Sequence, residues 1–530
     1  MESPSGMTRV AARGPAGSSA AAAEAAGTAV DTAAVRASAP SSAADTRARR
    51  RGRAAGERDI GAPSGRLSAG GEVGWERSRC ADASRAPPTC KERSRTKRRT
   101  GRGRPAGRVE GGRKRAAAYS VTVRIGLFTD YYLPAVGGVQ TLVAAQHRLL
   151  AERGHGVTVV CASYGSGRDH RATDVIHLPS AARLEFDQHR PYLPLPHRQR
   201  RLVAEMARRG GVDIVHGHTE FGVSVAARAV ARAFGAPYVV TMHTLMHRQM
   251  EDTFADPLAW SRRLLTFQRL MLRPGPDTYR PVGAATAAQH NVWRFMVRHA
   301  NTADAVVVPS RHFAEKLAER GVRPPLHVVP NVTAAVRRRT APPGDGEPTI
   351  VWVGRLSPEK RILPFLQALR TLPGAGWRAE VYGGGVQEEE CRAFLAAHPM
   401  PGVRLLGARP HADVLAALER ADIAVITSHG FDNHPMAVVE AVAAGLPILA
   451  CDPDLSEGVT PDNAVLTAPD PAAIGAGLTR LVRDPGLRAT LAAGSRRLAA
   501  RYTGERFAER LEAVYREALA GRRTARSGSL

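Results

Sequence analysis

The chain has 530 residues, with 75 Lys and Arg against 49 Asp and Glu, a formal net charge of +26. That length implies two or three domains, each able to bury its own core, and no stretch approaches the roughly 18 consecutive apolar residues of a membrane-spanning helix. The five cysteines, Cys80, Cys90, Cys161, Cys391 and Cys451, form no CxxC pair, which argues against a structural zinc site and reads as a reduced, cytosolic chain.

Residues 1–120 carry 25 basic and 11 acidic side chains but few large apolar groups. Such a segment buries too little surface to offset its ordering entropy, so disorder is expected. Its densest basic runs, 91–99 (KERSRTKRR) and 113–115, suit an arm that binds nucleic acid or anionic lipid. Folded patterning begins only near Val121, however. The favoured reading is therefore non-native sequence upstream of the true start, ahead of a solvated tail and of a nucleic-acid arm. The Ala-rich stretch 20–30 contains Glu24 and lacks a basic region followed by an apolar core, so it is a poor signal peptide.

From Val121 short β-branched runs alternate with Ala/Leu/Arg-rich stretches of helical period, as stacked βα units do. Strands are expected at 124–129 (RIGLFT), 156–161 (GVTVVC), 213–218 (DIVHGH), 237–243 (PYVVTMH), 305–310 (AVVVPS) and 326–330 (LHVVP), with helices at 141–153 and 223–234. Residues 336–348 read as a linker. The rhythm restarts with strands at 349–353 (TIVWV), 378–382 (RAEVY), 403–406, 422–427 (DIAVIT) and 447–451 (PILAC), and an amphipathic helix follows at 504–520. Continuous apolar strands alternating with helices predict an α/β fold: two doubly wound, Rossmann-like domains, 121–335 and 349–503, facing across a cleft. Ligands bind such sheets at the carboxyl ends of strands, so two facing sheets predict two substrates meeting between them.

Three segments carry candidate chemistry. The first strand runs into YYLPAVGGV, where Gly137 and Gly138 let backbone amides at a helix start approach a phosphate or sugar hydroxyl, or simply make a tight turn. The strand TIVWV leads into GRLSPEK, whose Arg355 and Lys360 suit a diphosphate. The strand DIAVIT leads into TSHGFDNHPMAVVEAVAAG, a polar loop and helix start carrying Asp432 and Glu440, with spacing that fits either hydroxyl binding or capping. The Asp452-Pro453-Asp454 run fits the Asp-x-Asp pattern of metal-dependent sugar transferases, but so short a match is frequent by chance, and no metal is expected.

Together YLPAVGGV, GHTEF, TMHT, VVVPS, VGRLSPEK and FDNHPMAVVEAVAAGLP, in that order, resemble retaining glycosyltransferases of family 4, which have the GT-B fold. HTEF followed by TMHT is similar to bacterial diacylglycerol glucosyltransferases and phosphatidylinositol mannosyltransferases. The resemblance implies that Arg355 and Lys360 hold the donor diphosphate and that Glu440 binds the nucleotide ribose. It implies that Asp432 stands where the family has a Glu contacting the donor sugar, and that amides over 433–437, including Asn433, Pro435 and Met436, face the diphosphate. His434 and Pro435 depart from the smaller residues often found there, which leaves the donor open between UDP-glucose and GDP-mannose. Gly137 and Gly138 match the loop beside the transferred sugar, and His243 a histidine near the reacting centre. His218 reads as structural, and Glu220, which follows it into the same cleft, as a residue that orients the acceptor. The resemblance implies no cofactor and no metal.

Residues 181–210 hold seven Arg against three acids, and 245–300 eight Arg against four, interleaved with large apolar side chains. Such faces suit either peripheral binding to an anionic leaflet or plain solvation. The second stretch also reads as a long irregular loop shaped for an acceptor. The expected activity is hexosyl transfer from a nucleotide sugar to a lipid or lipid-linked acceptor, at the inner face of the cell membrane in envelope synthesis. Its rivals are transfer to a soluble sugar, nucleotide-sugar epimerisation, and nucleic-acid binding through the basic arm. A dehydrogenase is discounted, because no GxGxxG follows the first strand.

Overall fold

The computed structural model describes residues 122–530 apart from 134–136, 164–172, 181–190, 248–249, 251–254, 284, 334–345 and 528–530. The N-terminal extension and nearly all of the linker therefore lie outside the described residues, as do part of the first basic stretch and a few positions of the second.

The N-terminal half contains β1 (Arg124–Thr129), α1 (Gly138–Glu152), β2 (Gly156–Ala162), β3 (Val175–Leu178), α2 (Pro196–Arg208), β4 (Ile214–Gly217), α3 (Gly222–Phe234), β5 (Tyr238–Thr241), α4 (Pro257–Phe267), α5 (Ala287–Ala300), β6 (Ala305–Val308), α6 (Arg311–Glu319) and β7 (Leu326–Val328). Its seven strands pair in parallel in the order β3-β2-β1-β4-β5-β6-β7. The C-terminal half contains β8 (Thr349–Val353), α7 (Ile362–Leu369), β9 (Arg378–Tyr382), α8 (Glu388–Ala397), β10 (Val403–Gly407), α9 (His411–Arg420), β11 (Ile423–Ile426), α10 (Met436–Ala444), β12 (Ile448–Ala450), β13 (Ala464–Leu466), α11 (Pro471–Arg483), α12 (Pro485–Ala499) and α13 (Gly504–Ser527). Its six strands are also parallel, in the order β10-β9-β8-β11-β12-β13. In each sheet the order reverses beside the first strand, between β1 and β4 and between β8 and β11. Such a reversal opens a crevice at the strands' carboxyl ends.

Both faces of each sheet are buried, which is why the strands read as continuous apolar runs. Side-chain alternation sends Phe128, Val215 and Val240 into one core, and Leu127, Ile214 and Val239 into the other. The second core is closed by α13, whose Phe507, Leu511, Val514 and Tyr515 are buried against it. The final helix thus belongs to the N-terminal sheet, although it follows the C-terminal half in sequence.

The stretch 245–300 departs from expectation. Instead of a long irregular loop it holds α4, a π-helical turn at Gln268–Leu272, and α5. Leu264, Leu272, Val292, Trp293, Phe295 and Met296 recur at helical spacing and bury into the first core. No helix among the described residues is long and apolar enough to cross a membrane.

Candidate active site

The loop after β8 is held tightly. Gly383 adopts φ 143°, and a Cβ there would run into the carbonyl oxygen of Gly354, so only glycine lets the 383–385 backbone lie against 354–356. The Lys360 carbonyl accepts from Thr427 Oγ1 at 2.8 Å, and Thr427 Oγ1 in turn accepts from Trp352 Nε1 at 2.9 Å. Arg361 follows in the left-handed region at φ 58°, its guanidinium donating to the Pro469 carbonyl. Strained backbone of this kind clusters where a neighbouring side chain must be aimed.

Lys360 Nζ lies 2.5 Å from Asp432 Oδ1, with both side chains largely buried, and 5.0 Å from the Phe431 ring centroid. The other oxygen of that carboxylate, Asp432 Oδ2, is buried and has no hydrogen-bond partner. A buried carboxylate oxygen left unpaired fits a site built for a hydroxyl-bearing ligand. Arg355 is about half exposed and donates to Glu359 Oε1 at 2.9 Å. Neither cation is idle in this state, so an incoming diphosphate would have to take each from a carboxylate. Glu440 Oε1 lies 2.8 Å from His411 Nε2, and this contact raises the histidine's pKa above its usual value against opposing desolvation.

Helix α10 starts without a side-chain cap and without an acid in its first turn. Helix α1, entered through Gly137, likewise has neither cap nor acid. The two starts come together: a Cβ placed on Gly138 would lie 3.7 Å from Met436 Cγ. Uncapped N-termini concentrate amide donors and positive dipole, which favours an anion between the two halves.

Asn433 Nδ2 donates to the His243 carbonyl at 2.8 Å, tying the C-terminal loop to the end of β5. His243 Nε2 lies 3.2 Å from His218 Nδ1, and desolvation lowers the His243 pKa to about 4, so the ring is neutral near pH 7. Glu220 sits buried before α3, where desolvation and then the nearby Asp130 raise its pKa to about 7. Asp130, raised by burial to about 6, accepts from Thr219 Oγ1 at 2.6 Å. Among the described residues no hydrogen bond joins Glu220 to His243 or to the C-terminal half.

The structure thus brings Gly138, Met436, Asn433 and His243 to one junction and pairs Lys360 with Asp432. His434 turns away from that junction: its Nδ1 accepts from the Asn331 amide at 3.0 Å and its carbonyl from Asn331 Nδ2 at 2.8 Å, which makes it a tie between the halves. Asp452 and Asp454 have other work. Asp452 accepts from the amides of Gly430 and Asp454, at 2.7 and 3.0 Å, and Asp454 pairs with Lys316 at 2.5 Å. No group of three or more metal-ligating side chains occurs among the described residues. His411, Asp130, Thr219 and Asn331 did not stand out in the sequence, because each gains its meaning from a partner distant in the chain or from burial.

Residues 136–333 match the family model described as Glycosyltransferase Family 4, and residues 347–484 that described as Glycosyl transferases group 1. The chain is 28% identical to the D-inositol 3-phosphate glycosyltransferase of Acidothermus cellulolyticus over 347 residues, covering 60% of this chain and 69% of that protein. It is 26% identical to the phosphatidyl-myo-inositol mannosyltransferase of Mycobacterium tuberculosis over 418 residues, covering 75% of this chain and 98% of the relative. An alpha-monoglucosyldiacylglycerol synthase of Streptococcus pneumoniae is 26% identical over 260 residues, covering 46% and 52% of the two chains. Among solved structures, sucrose-phosphate synthase from Thermosynechococcus elongatus superposes with a TM-score of 0.58 at 17% identity, covering 75% of this chain and 100% of that one. Anabaena HepE in complex with UDP superposes at 0.56 and 16% identity, covering 75% and 100%. These likenesses establish the two-sheet GT-B architecture.

Proposed function

Since this chain belongs to glycosyltransferase family 4, we propose that it moves a hexose, glucose or mannose, from a UDP- or GDP-linked donor to a lipid or lipid-linked acceptor with retention of anomeric configuration. The observation that carries the reading is the meeting of two uncapped helix starts, at Gly138 and Met436, beside the Lys360–Asp432 pair. A diphosphate entering there exchanges places with Asp432 on Lys360 and with Glu359 on Arg355. The freed Asp432 carboxylate then accepts from sugar hydroxyls, and Glu440 from the ribose. Charge growing on the departing diphosphate is stabilised by both cations and by the amides over Asn433, Pro435 and Met436. The bond from the anomeric carbon to phosphate breaks, and one to the acceptor oxygen forms on the same face. The acceptor's proton goes to the leaving phosphate oxygen. Neutral His243 lines the anomeric centre and the Gly137–Gly138 loop flanks the sugar, while Glu220 orients the acceptor. The chemistry needs no cofactor or metal beyond these groups.

The lipid half of the reading is supported by two exposed basic faces. Helix α2 presents Arg200, Arg201 and Arg208 beside exposed Leu195, and α4 with its π-turn presents Arg262, Arg263 and Arg269 around exposed Phe267 and Leu270. Arginines encircling apolar side chains suit peripheral contact with an anionic leaflet, on the inner face of the cell membrane, during envelope glycolipid synthesis. Nucleic acid has no part in it.

Calorimetric titration of the full-length chain with UDP and with GDP tests the donor site. One nucleotide is expected to bind clearly better, and Arg355→Ala or Lys360→Ala to weaken it by at least about tenfold, the loss of one charge-assisted contact. Unchanged affinity in both variants would remove these residues from the donor site.

A further inference from the structure

The helix that closes the N-terminal core also carries a polar contact into it. Tyr515 of α13 is buried, and its hydroxyl accepts from Gln146 Nε2 at 3.0 Å while lying 2.7 Å from His216 Nδ1. An amide nitrogen only donates, and Gln146 Nε2 also faces His216 Nδ1, so that ring nitrogen accepts and the Tyr515 hydroxyl donates to it. Gln146 Nε2 stands 3.1 Å from the same nitrogen as a second donor. A neutral imidazole that accepts at Nδ1 carries its proton on Nε2, and there His216 meets Thr241 Oγ1 at 2.6 Å. The partners thus assign one tautomer and one ring plane to a fully buried histidine.

That plane is passed on. The His216 ring stacks on His218 with centroids 4.3 Å apart at 27°, and the His218 ring lies nearly parallel to that of His243, with centroids 5.5 Å apart at 19°. His218 is buried, and its Nε2 has no hydrogen-bond partner. The side-chain hydrogen bond orienting its ring is therefore the 3.2 Å contact from Nδ1 to His243 Nε2. With the ring's face against His216 and its edge against His243, rotation of either neighbour moves the third. Thr241 adds a second path, two residues before His243 on the same strand end.

We infer that Tyr515 and Gln146 are positioning residues for His243, acting through the tautomer and plane of His216 and the stacked ring of His218. The inference rests on the reading that His243 lies at the reacting centre. It makes docking of the C-terminal helix a condition of catalysis as well as of folding, since the helix that follows the donor-binding half sets a histidine in the acceptor-binding half.

The test compares the full-length wild type with Tyr515→Phe/Gln146→Met and with Tyr515→Phe alone, all labelled with ¹⁵N-histidine. The double variant keeps the apolar volume but leaves His216 Nδ1 without a donor. Its His216 imidazole nitrogens are expected to lose the Nε2–H pattern, and those of His243, which neither substituted residue touches, to shift with them. Tyr515→Phe, which removes one oxygen, gives the same changes at smaller amplitude and covers the case in which the double variant does not fold. In transfer assays kcat is expected to fall about tenfold in the double variant, the equivalent of one misplaced contact, with the donor KM within about twofold. Unchanged His243 nitrogens in both variants would overturn the inference, as would an unchanged kcat. If the wild type transfers no sugar at all, the functional reading fails by itself, and the nitrogen spectra still decide whether α13 sets His243.

Discussion

At the residue scale the candidate site is a set of ion pairs, and His411 with Glu440 gives the most accessible test. Glu440 raises the His411 pKa, so the pair's contribution to stability is full below the unfolded value of 6.5 and is lost as pH rises through the folded value. The stability advantage of wild type over His411→Ala should therefore shrink as the pH is taken from about 6 to about 8, read from denaturant midpoints. An advantage independent of pH would mean that the contact is not ionic. The same carboxylate is the proposed ribose acceptor, and His411 is the side chain that holds it at 2.8 Å. The places of motif residues could be read from the sequence: Gly137, Gly138, Arg355, Lys360 and Asn433 all lie between the end of a strand and the first residue of the helix that follows it. Those of residues defined by a remote partner could not. Tyr515 and His216 are 299 positions apart, and Glu512, which accepts from Arg153 at 2.5 Å, is 359 positions from it. Neither local period nor spacing encodes such pairs.

At the element scale the π-turn after α4 shows how a buried cation shapes the basic face. Arg228 of α3 donates to the carbonyls of Leu272 and Arg273, and Arg273 itself stands in the left-handed region at φ 45°. These carbonyls end the π-turn, where no further helical amide reaches them. Arg228→Ala should cost about 2 kcal/mol or more, because it leaves buried acceptors unpaired, and hydrogen exchange should quicken over 268–273. Normal stability with unchanged exchange would mean that solvent replaces the guanidinium. The central strands were legible because burial on both faces leaves continuous apolar runs. The edge strands β3 (VIHL) and β13 (AVL) were too short to stand out. Helices α4 and α5 were hidden by their own arginines: the apolar stripe was present at helical spacing, but the basic outer face drew the stretch towards an irregular acceptor loop.

At the scale of the whole molecule, several polar contacts tie the two halves together, one of them at the junction that holds the candidate chemistry. Asn331 with His434, Asn433 with the His243 carbonyl, Lys316 with Asp454 and the Arg311 amide with Glu457 all cross from one sheet's domain to the other's. The helix α13 returns to close the N-terminal core, a placement its amphipathic period could not specify, since the period gives a buried face but not the sheet beneath it. Buried histidines govern the pH response of this assembly. Desolvation lowers His216, His299 and His434 to about 3 and His243 to about 4, and His218 well below its usual value. Once unfolded each takes up a proton below 6.5, so each withdraws about 1.4 kcal/mol of stability per pH unit of acidification until its folded pKa is reached. Glu220 and Asp130 oppose this, being raised in the fold and thus favouring it at lower pH. The histidines outnumber them, so denaturant midpoints should fall steeply from about pH 6.5 towards 4.5, and a flat profile over that range would mean that the histidines are hydrated. The central claim is sugar transfer to lipid, and the most direct measurement follows label from a panel of UDP- and GDP-linked hexoses into extracted anionic membrane lipid with the full-length chain. Label should enter the lipid phase from one donor, with the donor's anomeric configuration, and be lost in Arg355→Ala. Donor consumed without lipid labelling, or no donor engaged at all, would contradict it.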